Sequence, residues 1–252
     1  MSEATIRFYA ELNAFLPANQ KFTGFPFSFY DRVSVKHALE SLGVPHTEVD
    51  LIIVNGESAD FSYILRDGDR ISVYPVFETI DIQPIVKVRP TPLRDTRFVL
   101  DMHLGKLAAY LRMLGFDADY SNNRPDEELA AISRNDGRIL LTRDTGLLKR
   151  KAVTHGYFIH DIDPRRQIVE VLKRFDLFGA FRPFQRCIRC NGLLTGASVE
   201  KIEGLIPPEV LSVYSEFMQC QNCGRICWKG THYQRMVQFI DRILEIEKSQ
   251  AK

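Results

Sequence analysis

Arg97-Phe-Val-Leu-Asp101-Met-His-Leu-Gly-Lys-Leu-Ala-Ala-Tyr-Leu-Arg-Met-Leu-Gly115-Phe-Asp-Ala-Asp-Tyr120 is the stretch that decides the fold. It opens as a short apolar run that stops at a carboxylate, Asp101. Leu104, Leu107, Ala108, Leu111 and Leu114 then recur at the spacing of one helical face. The chain turns at Gly115 into a second strand. The alternation continues downstream. Pro125-Asp126-Glu127-Glu128 begins a helix with acids in the first turn, where the helix dipole favours them. Arg138-Ile-Leu-Leu-Thr142 reads as a third strand, Thr145-Gly-Leu-Leu148 as a short helix and Tyr157-Phe-Ile-His160 as a fourth strand. A helix over 165–178 carries apolar residues at 168, 169, 171, 172 and 175. Strands alternating with helices predict parallel crossovers and an α/β sheet over 95–186.

Working outward toward the N-terminus, Gln83-Pro-Ile-Val-Lys-Val-Arg-Pro-Thr-Pro92 reads as an extended connector, and a domain boundary is placed there. The block before it, residues 1–84, opens with the alternating runs Ala4-Thr-Ile-Arg-Phe-Tyr-Ala10 and Phe25-Pro-Phe-Ser-Phe-Tyr30. Ser34 is placed to cap a helix that ends near Gly43. A strand over 49–55 meets the tight-turn pair Asn55-Gly56, and Asp67-Gly68-Asp69 feeds a last strand, Arg70-Ile-Ser-Val-Tyr74. The expected order is strand, strand, helix, strand, strand.

Residues 187–252 hold Cys187-Ile-Arg-Cys190 and Cys220-Gln-Asn-Cys223, followed by a helix over 233–247. Two such pairs supply four thiolates from two tight knuckles, the donor set of a structural Zn²⁺ site. The 29-residue spacer contains Pro207-Pro208-Glu-Val-Leu-Ser-Val-Tyr, readable as an inserted helix. Redox-active pairs are the competing reading. Cys227, the fifth cysteine, reads as a buried small hydrophobe.

In an open α/β sheet, ligands bind beyond the carboxyl ends of the strands. Asp101 and Asp144 end strands, Asp126 opens the helix after the second strand, and Asp161 and Asp163 follow the fourth. Acids converging on one rim repel and need a cation, for which oxygen-loving Mg²⁺ or Mn²⁺ is suited. Simpler roles compete. Asp126 could only cap its helix, Asp161 and Asp163 could be turn acids before Pro164, and Asp101 could pair with an Arg. His103, Lys106 and His232 are weaker candidates.

The chain has 252 residues, 45% hydrophobic and 26% charged, which excludes wholesale disorder. No apolar run is long enough for a membrane helix, and the N-terminus lacks the pattern of a secretory signal, so a cytoplasmic location is expected. The net charge of +1 conceals a division: residues 1–84 are net −6, residues 85–186 net +6, and residues 187–252 net +1. Arg112, Arg124, Arg143, Lys149, Arg150 and Lys151 flank the proposed rim, as expected for a nucleic acid substrate.

The run from Phe98 to Asp117, Asp126-Glu-Glu-Leu, Arg138-Ile-Leu-Leu-Thr-Arg-Asp144, and the cysteine pairs with Cys227-Trp-Lys-Gly-Thr-His232 together resemble the Mut-seven C-terminal RNase family over about 96–240. The resemblance implies a PIN-like nuclease fold with an appended zinc ribbon, in which strand-end acids bind divalent metal and cut RNA. It carries the acidic positions onto Asp101, Asp126 and Asp144, and less clearly onto Asp161 and Asp163. Where such nucleases have a Glu on the middle helix, this chain offers Asp126 with Glu127 beside it. Residues 1–81 are similar to ubiquitin-like β-grasp sulfur carriers. Those end in Gly-Gly, whereas here Val73-Tyr-Pro-Val-Phe77 runs on into the connector, which implies an accessory role in protein docking.

The expectation is therefore an α/β chain: β-grasp domain 1–84, PIN-like domain 95–186 and zinc ribbon 187–252. It would act as a metal-dependent ribonuclease, with Cys187, Cys190, Cys220 and Cys223 on zinc and Asp101, Asp126 and Asp144 on Mg²⁺ or Mn²⁺. A non-catalytic RNA- or ribosome-binding module is the alternative, and a sulfur-transfer accessory protein a third.

Overall fold

The computed structural model describes residues 1–75 and 96–250. The proline-rich stretch 83–92, and the boundary placed in it, lie outside the described residues. Contacts gather the chain into two compact units: Met1–Asp95 with Arg124–Phe158, and Thr96–Asn123 with Ile159–Lys252.

The first block comprises β1 (Ser2–Phe8), β2 (Gly24–Phe29), α1 (Val35–Ser41), β3 (Leu51–Val54), β4 (Glu57–Ala59) and β5 (Arg70–Tyr74). Its sheet runs β2-β1-β5-β3-β4. β1 and β5 are parallel, and the other pairings are antiparallel. Two hairpins joined through α1 onto a central parallel pair make the β-grasp arrangement that the sequence predicts. Alternation along β1 buries Ala4, Ile6 and Phe8, which meet Leu39 of α1, Ile52 of β3 and Val73 of β5 in one apolar core. The Ser34 hydroxyl accepts from the His37 amide at 3.2 Å, which makes it the cap of α1. Asn55 and Gly56 both have positive φ (53° and 92°), the backbone required for the two-residue β3–β4 turn. The sequence expectation omitted β4, because three residues with Glu57 and Ser58 at its start carry too little alternation to register.

The second block runs β6 (Arg97–Leu100), α2 (Gly105–Met113), β7 (Asp117–Tyr120), α3 (Asp126–Asp136), β8 (Ile139–Thr142), α4 (Thr145–Leu148), β9 (Gly156–Phe158) and α5 (Pro164–Arg174). β6 to β9 form the predicted parallel α/β sheet, with β6 parallel to β7 and β8 parallel to β9. Phe98 is fully buried, edge-on to Phe116 and Phe175 at 6.4 and 5.7 Å. Two glycines are required by their surroundings. A Cβ on Gly105 would fall 2.6 Å from the Tyr120 hydroxyl, and one on Gly115, at φ +97°, would fall 2.1 Å from the Arg182 carbonyl oxygen.

The third block holds β10 (Leu194–Ala197), α6 (Val199–Ile202), α7 (Pro208–Val213), β11 (Phe217–Cys220), β12 (Ile226–Trp228) and α8 (Thr231–Gln250). The three strands form an antiparallel sheet, β10-β11-β12. The long spacer between the cysteine pairs holds β10 and two short helices, α6 and α7, where one inserted helix was expected. Among the described residues, no helix is long and apolar enough to cross a membrane.

Candidate metal centre and active site

Each cysteine pair sits in a tight turn that places its two thiols side by side. The Asn191 amide donates to the Cys187 carbonyl at 2.9 Å, and the Gly224 amide donates to the Cys220 carbonyl at 3.0 Å. These turns bring Cys187, Cys190, Cys220 and Cys223 together, all four Sγ atoms lying within 4.8 Å of one another. Cys187 to Cys223 is 3.8 Å and Cys190 to Cys220 is 3.4 Å between sulfurs. Zinc–sulfur bonds of about 2.3 Å in a tetrahedron require sulfurs roughly 3.8 Å apart, so the set fits one Zn²⁺.

The thiols differ in acidity. Burial, with the neighbouring thiols, pushes Cys190 up to about 12. For Cys220, burial is outweighed by the Cys223 and Asn222 amides, which bring it to about 7. Four thiolates this close need a dication among them. Cys227 stands outside the set, half-buried in β12, where burial raises its thiol.

Arg112 ties the first knuckle to α2 and β7. It is 4% exposed and donates to the Ala118, Ile188 and Arg189 carbonyls at 2.7, 3.1 and 2.9 Å. This corrects the expectation that Arg112 flanks a substrate rim, because its cationic head is consumed by buried carbonyls. Lys149 likewise donates to the Glu40 carbonyl at 2.8 Å.

Each of the five predicted acids lies near the end of a strand or the start of a helix. Asp101 directly follows β6, is 8% exposed and accepts from the Met102 amide. Asp144 lies two residues past β8 and caps α4, its Oδ1 accepting from the Gly146 and Leu147 amides at 2.7 and 3.4 Å. Both bonds fall on Oδ1, and among the described residues Oδ2 accepts no hydrogen bond. Asp126 is the first residue of α3; its Oδ2 lies 3.3 Å from Arg150, which also holds Glu127 at 2.9 Å. Asp101, Asp161 and Asp163 belong to one compact unit, Asp126 and Asp144 to the other.

Asp161 and Asp163 shape the start of α5. Asp161 accepts from the Asp163 amide at 2.9 Å, and Asp163 caps the helix through the Arg165 amide at 2.9 Å. Glu170 receives the His160 and Asp161 amides at 2.8 and 3.1 Å, a role the sequence reading missed because it depends on the turn closing back on α5. His103, Lys106 and His232 are exposed.

Beside the second knuckle lies an open groove of about 420 Å³ with Arg189 and Arg225 on its walls and Leu205, Ile206 and Ile226 as apolar lining. Among the described residues, neither guanidinium has a hydrogen bond or ion pair. Leu205 is 64% exposed.

The Mut7-C ubiquitin family model matches residues 1–81, and the Mut7-C RNAse domain model matches residues 96–240. No curated protein matches. Among solved structures, the crystal structure of H. volcanii small archaeal modifier protein 1 is 17% identical, with a TM-score of 0.25, and covers 30% of this chain and 98% of its own. A crystal structure of SAMP1 from Haloferax volcanii is 16% identical, also with a TM-score of 0.25, and covers 31% and 98%. With the RNAse domain model spanning more than half of its length, the chain belongs to the Mut7-C RNAse domain family.

Proposed function

We propose that the chain is a metal-dependent ribonuclease whose centre is formed by Asp101, Asp126 and Asp144. The observation that carries this is the placement of acids at the ends of parallel strands in a chain of the Mut7-C RNAse domain family. The donor chemistry fits a hard cation, since all three side chains offer carboxylate oxygens and Asp144 keeps Oδ2 out of its capping bonds. Bound there, Mg²⁺ or Mn²⁺ would activate water and stabilise the leaving oxygen of a phosphodiester. The chain's own part is orientation. The Met102 amide fixes Asp101, the first turn of α4 fixes Asp144, and Arg150 steadies Asp126.

RNA is the proposed substrate. Arg189 and Arg225, without acidic partners among the described residues, would take its phosphates, and the groove's apolar wall would take a base. Zinc at the four cysteines would have a structural role, since protein thiolates fill all its positions. The ubiquitin-like block would serve protein contact. We place the protein in the cytoplasm.

The test is cleavage of labelled RNA and DNA with EDTA, Mg²⁺ and Mn²⁺ arms, alongside Asp144→Asn. Asparagine still caps a helix, so the variant keeps its fold while cleavage falls by at least about 100-fold. Cleavage by Asp144→Asn at the wild-type rate would remove the assignment. A second reading, RNA binding without cleavage, is favoured by one observation: Arg150 already neutralises Asp126. It requires RNA binding that survives EDTA and no cutting with Mn²⁺.

A further inference from the structure

The ubiquitin-like block shares a compact unit with residues 124–158, and the bonds between them converge on a short stretch of chain. Lys149 Nζ donates to the Glu40 carbonyl at 2.8 Å. His46 is 7% exposed, and its Nε2 lies 2.8 Å from the Val153 carbonyl. A carbonyl only accepts, so Nε2 carries the hydrogen. The other ring nitrogen is 2.7 Å from Glu40 Oε1. Glu48 is 1% exposed and accepts from the Phe158 amide at 2.5 Å. The Phe15 ring meets Phe158 edge-on at 5.6 Å.

The stretch held in this way, residues 144–158, is weak on its own. α4 is four residues long, too short to persist as an isolated helix, and β9 is three. Yet Asp144 begins it, and Arg150 within it grips Asp126 and Glu127. Two of the three acids proposed above therefore depend on a segment whose outer anchors lie in the first block. Burial of His46 and Glu48 makes these anchors demanding, because a buried polar group left unbonded is costly.

We propose that the ubiquitin-like block is a positioning element of the acidic centre, holding residues 144–158, and so Asp144 and the Arg150–Asp126 pair, through Lys149, His46 and Glu48. Its catalytic consequence rests on the nuclease reading; the hold on the segment does not. A block acting in this way is part of the nuclease and not a detachable docking module.

The experiment uses the full chain as wild type, His46→Gln, Lys149→Met and Lys149→Arg. Hydrogen exchange is followed in peptides spanning 144–158 and in control peptides spanning 97–120, and RNA cleavage is measured with Mn²⁺. His46→Gln and Lys149→Met should each speed exchange in 144–158 by about tenfold while the controls keep their protection. Cleavage kcat should fall by about 10- to 100-fold with little change in KM, and Lys149→Arg should restore both. Unchanged exchange in 144–158 overturns the proposal. So does equal loosening of the controls, which would mark general fold support, and so does unchanged kcat beside faster exchange. A wild-type chain that cuts no RNA would remove the nuclease reading, while the exchange arm would still decide the hold on the segment.

Discussion

Arg150 bridges two acids at once, with Nη2 3.3 Å from Asp126 Oδ2 and Nη1 2.9 Å from Glu127 Oε1. The bridge is exposed, with the Arg150 side chain at 38% and that of Asp126 at 43% of their full surface. Solvent screens such exposed pairs strongly, so their value here is geometric. Arg150→Ala should leave the thermal midpoint nearly unchanged while lowering RNA cleavage by about tenfold, because Asp126 loses its orientation. Steady-state cleavage beside a melting curve checks this. A faster variant would mean that Arg150 blocks Asp126 and does not steady it.

The thiol cluster predicts one Zn²⁺ per chain and a pH-dependent affinity. Metal binding requires thiolates, and Cys190, pushed up to about 12, must surrender a proton on loading. Zinc uptake should therefore release protons and weaken as pH falls. Cys190→Ser, or a strong chelator, should loosen the β10-β11-β12 sheet. The chain's single tryptophan, Trp228, lies in β12 and reports this directly by fluorescence. Metal content after gel filtration at pH 8 and pH 5.5 supplies the second readout.

The groove at the second knuckle predicts a salt-dependent contact. Arg189→Ala with Arg225→Ala should weaken RNA binding and flatten its dependence on salt concentration by about one to two released counterions. Folding should be unaffected, since neither side chain has a bonding partner among the described residues. Filter binding at several salt concentrations tests it, and an unchanged slope would place the RNA elsewhere.

Gly115 predicts a stability defect without a binding defect. An alanine there adopts a φ of +97° and meets the Arg182 carbonyl at 2.1 Å. Strain and overpacking together cost about 1–3 kcal/mol or more, which lowers the thermal midpoint by several degrees. Calorimetry measures that, while zinc content should stay at the wild-type level.

The sequence carried what local chemistry writes into it. Asp101 at the end of Phe-Val-Leu, the two cysteine pairs, the Ser34 cap and the Asn55-Gly56 turn were all readable, because each depends on neighbours within a few residues. What remained hidden depends on distant partners. His46 meets Val153 across 107 positions and Glu48 meets Phe158 across 110, and no spacing rule joins such residues. Arg112 shows the same limit in reverse: its charge suggested a substrate, and only the folded position of the first knuckle reveals three carbonyls around it.

The Glu48 carboxylate on the Phe158 amide has a second consequence. β9 is an end strand of its sheet, and the free amides of such strands invite pairing with another chain. A carboxylate satisfies the amide but offers no backbone row on which pairing could continue. The same bond that anchors the first block therefore withdraws the Phe158 amide from the donors that edge-to-edge pairing along β9 would need.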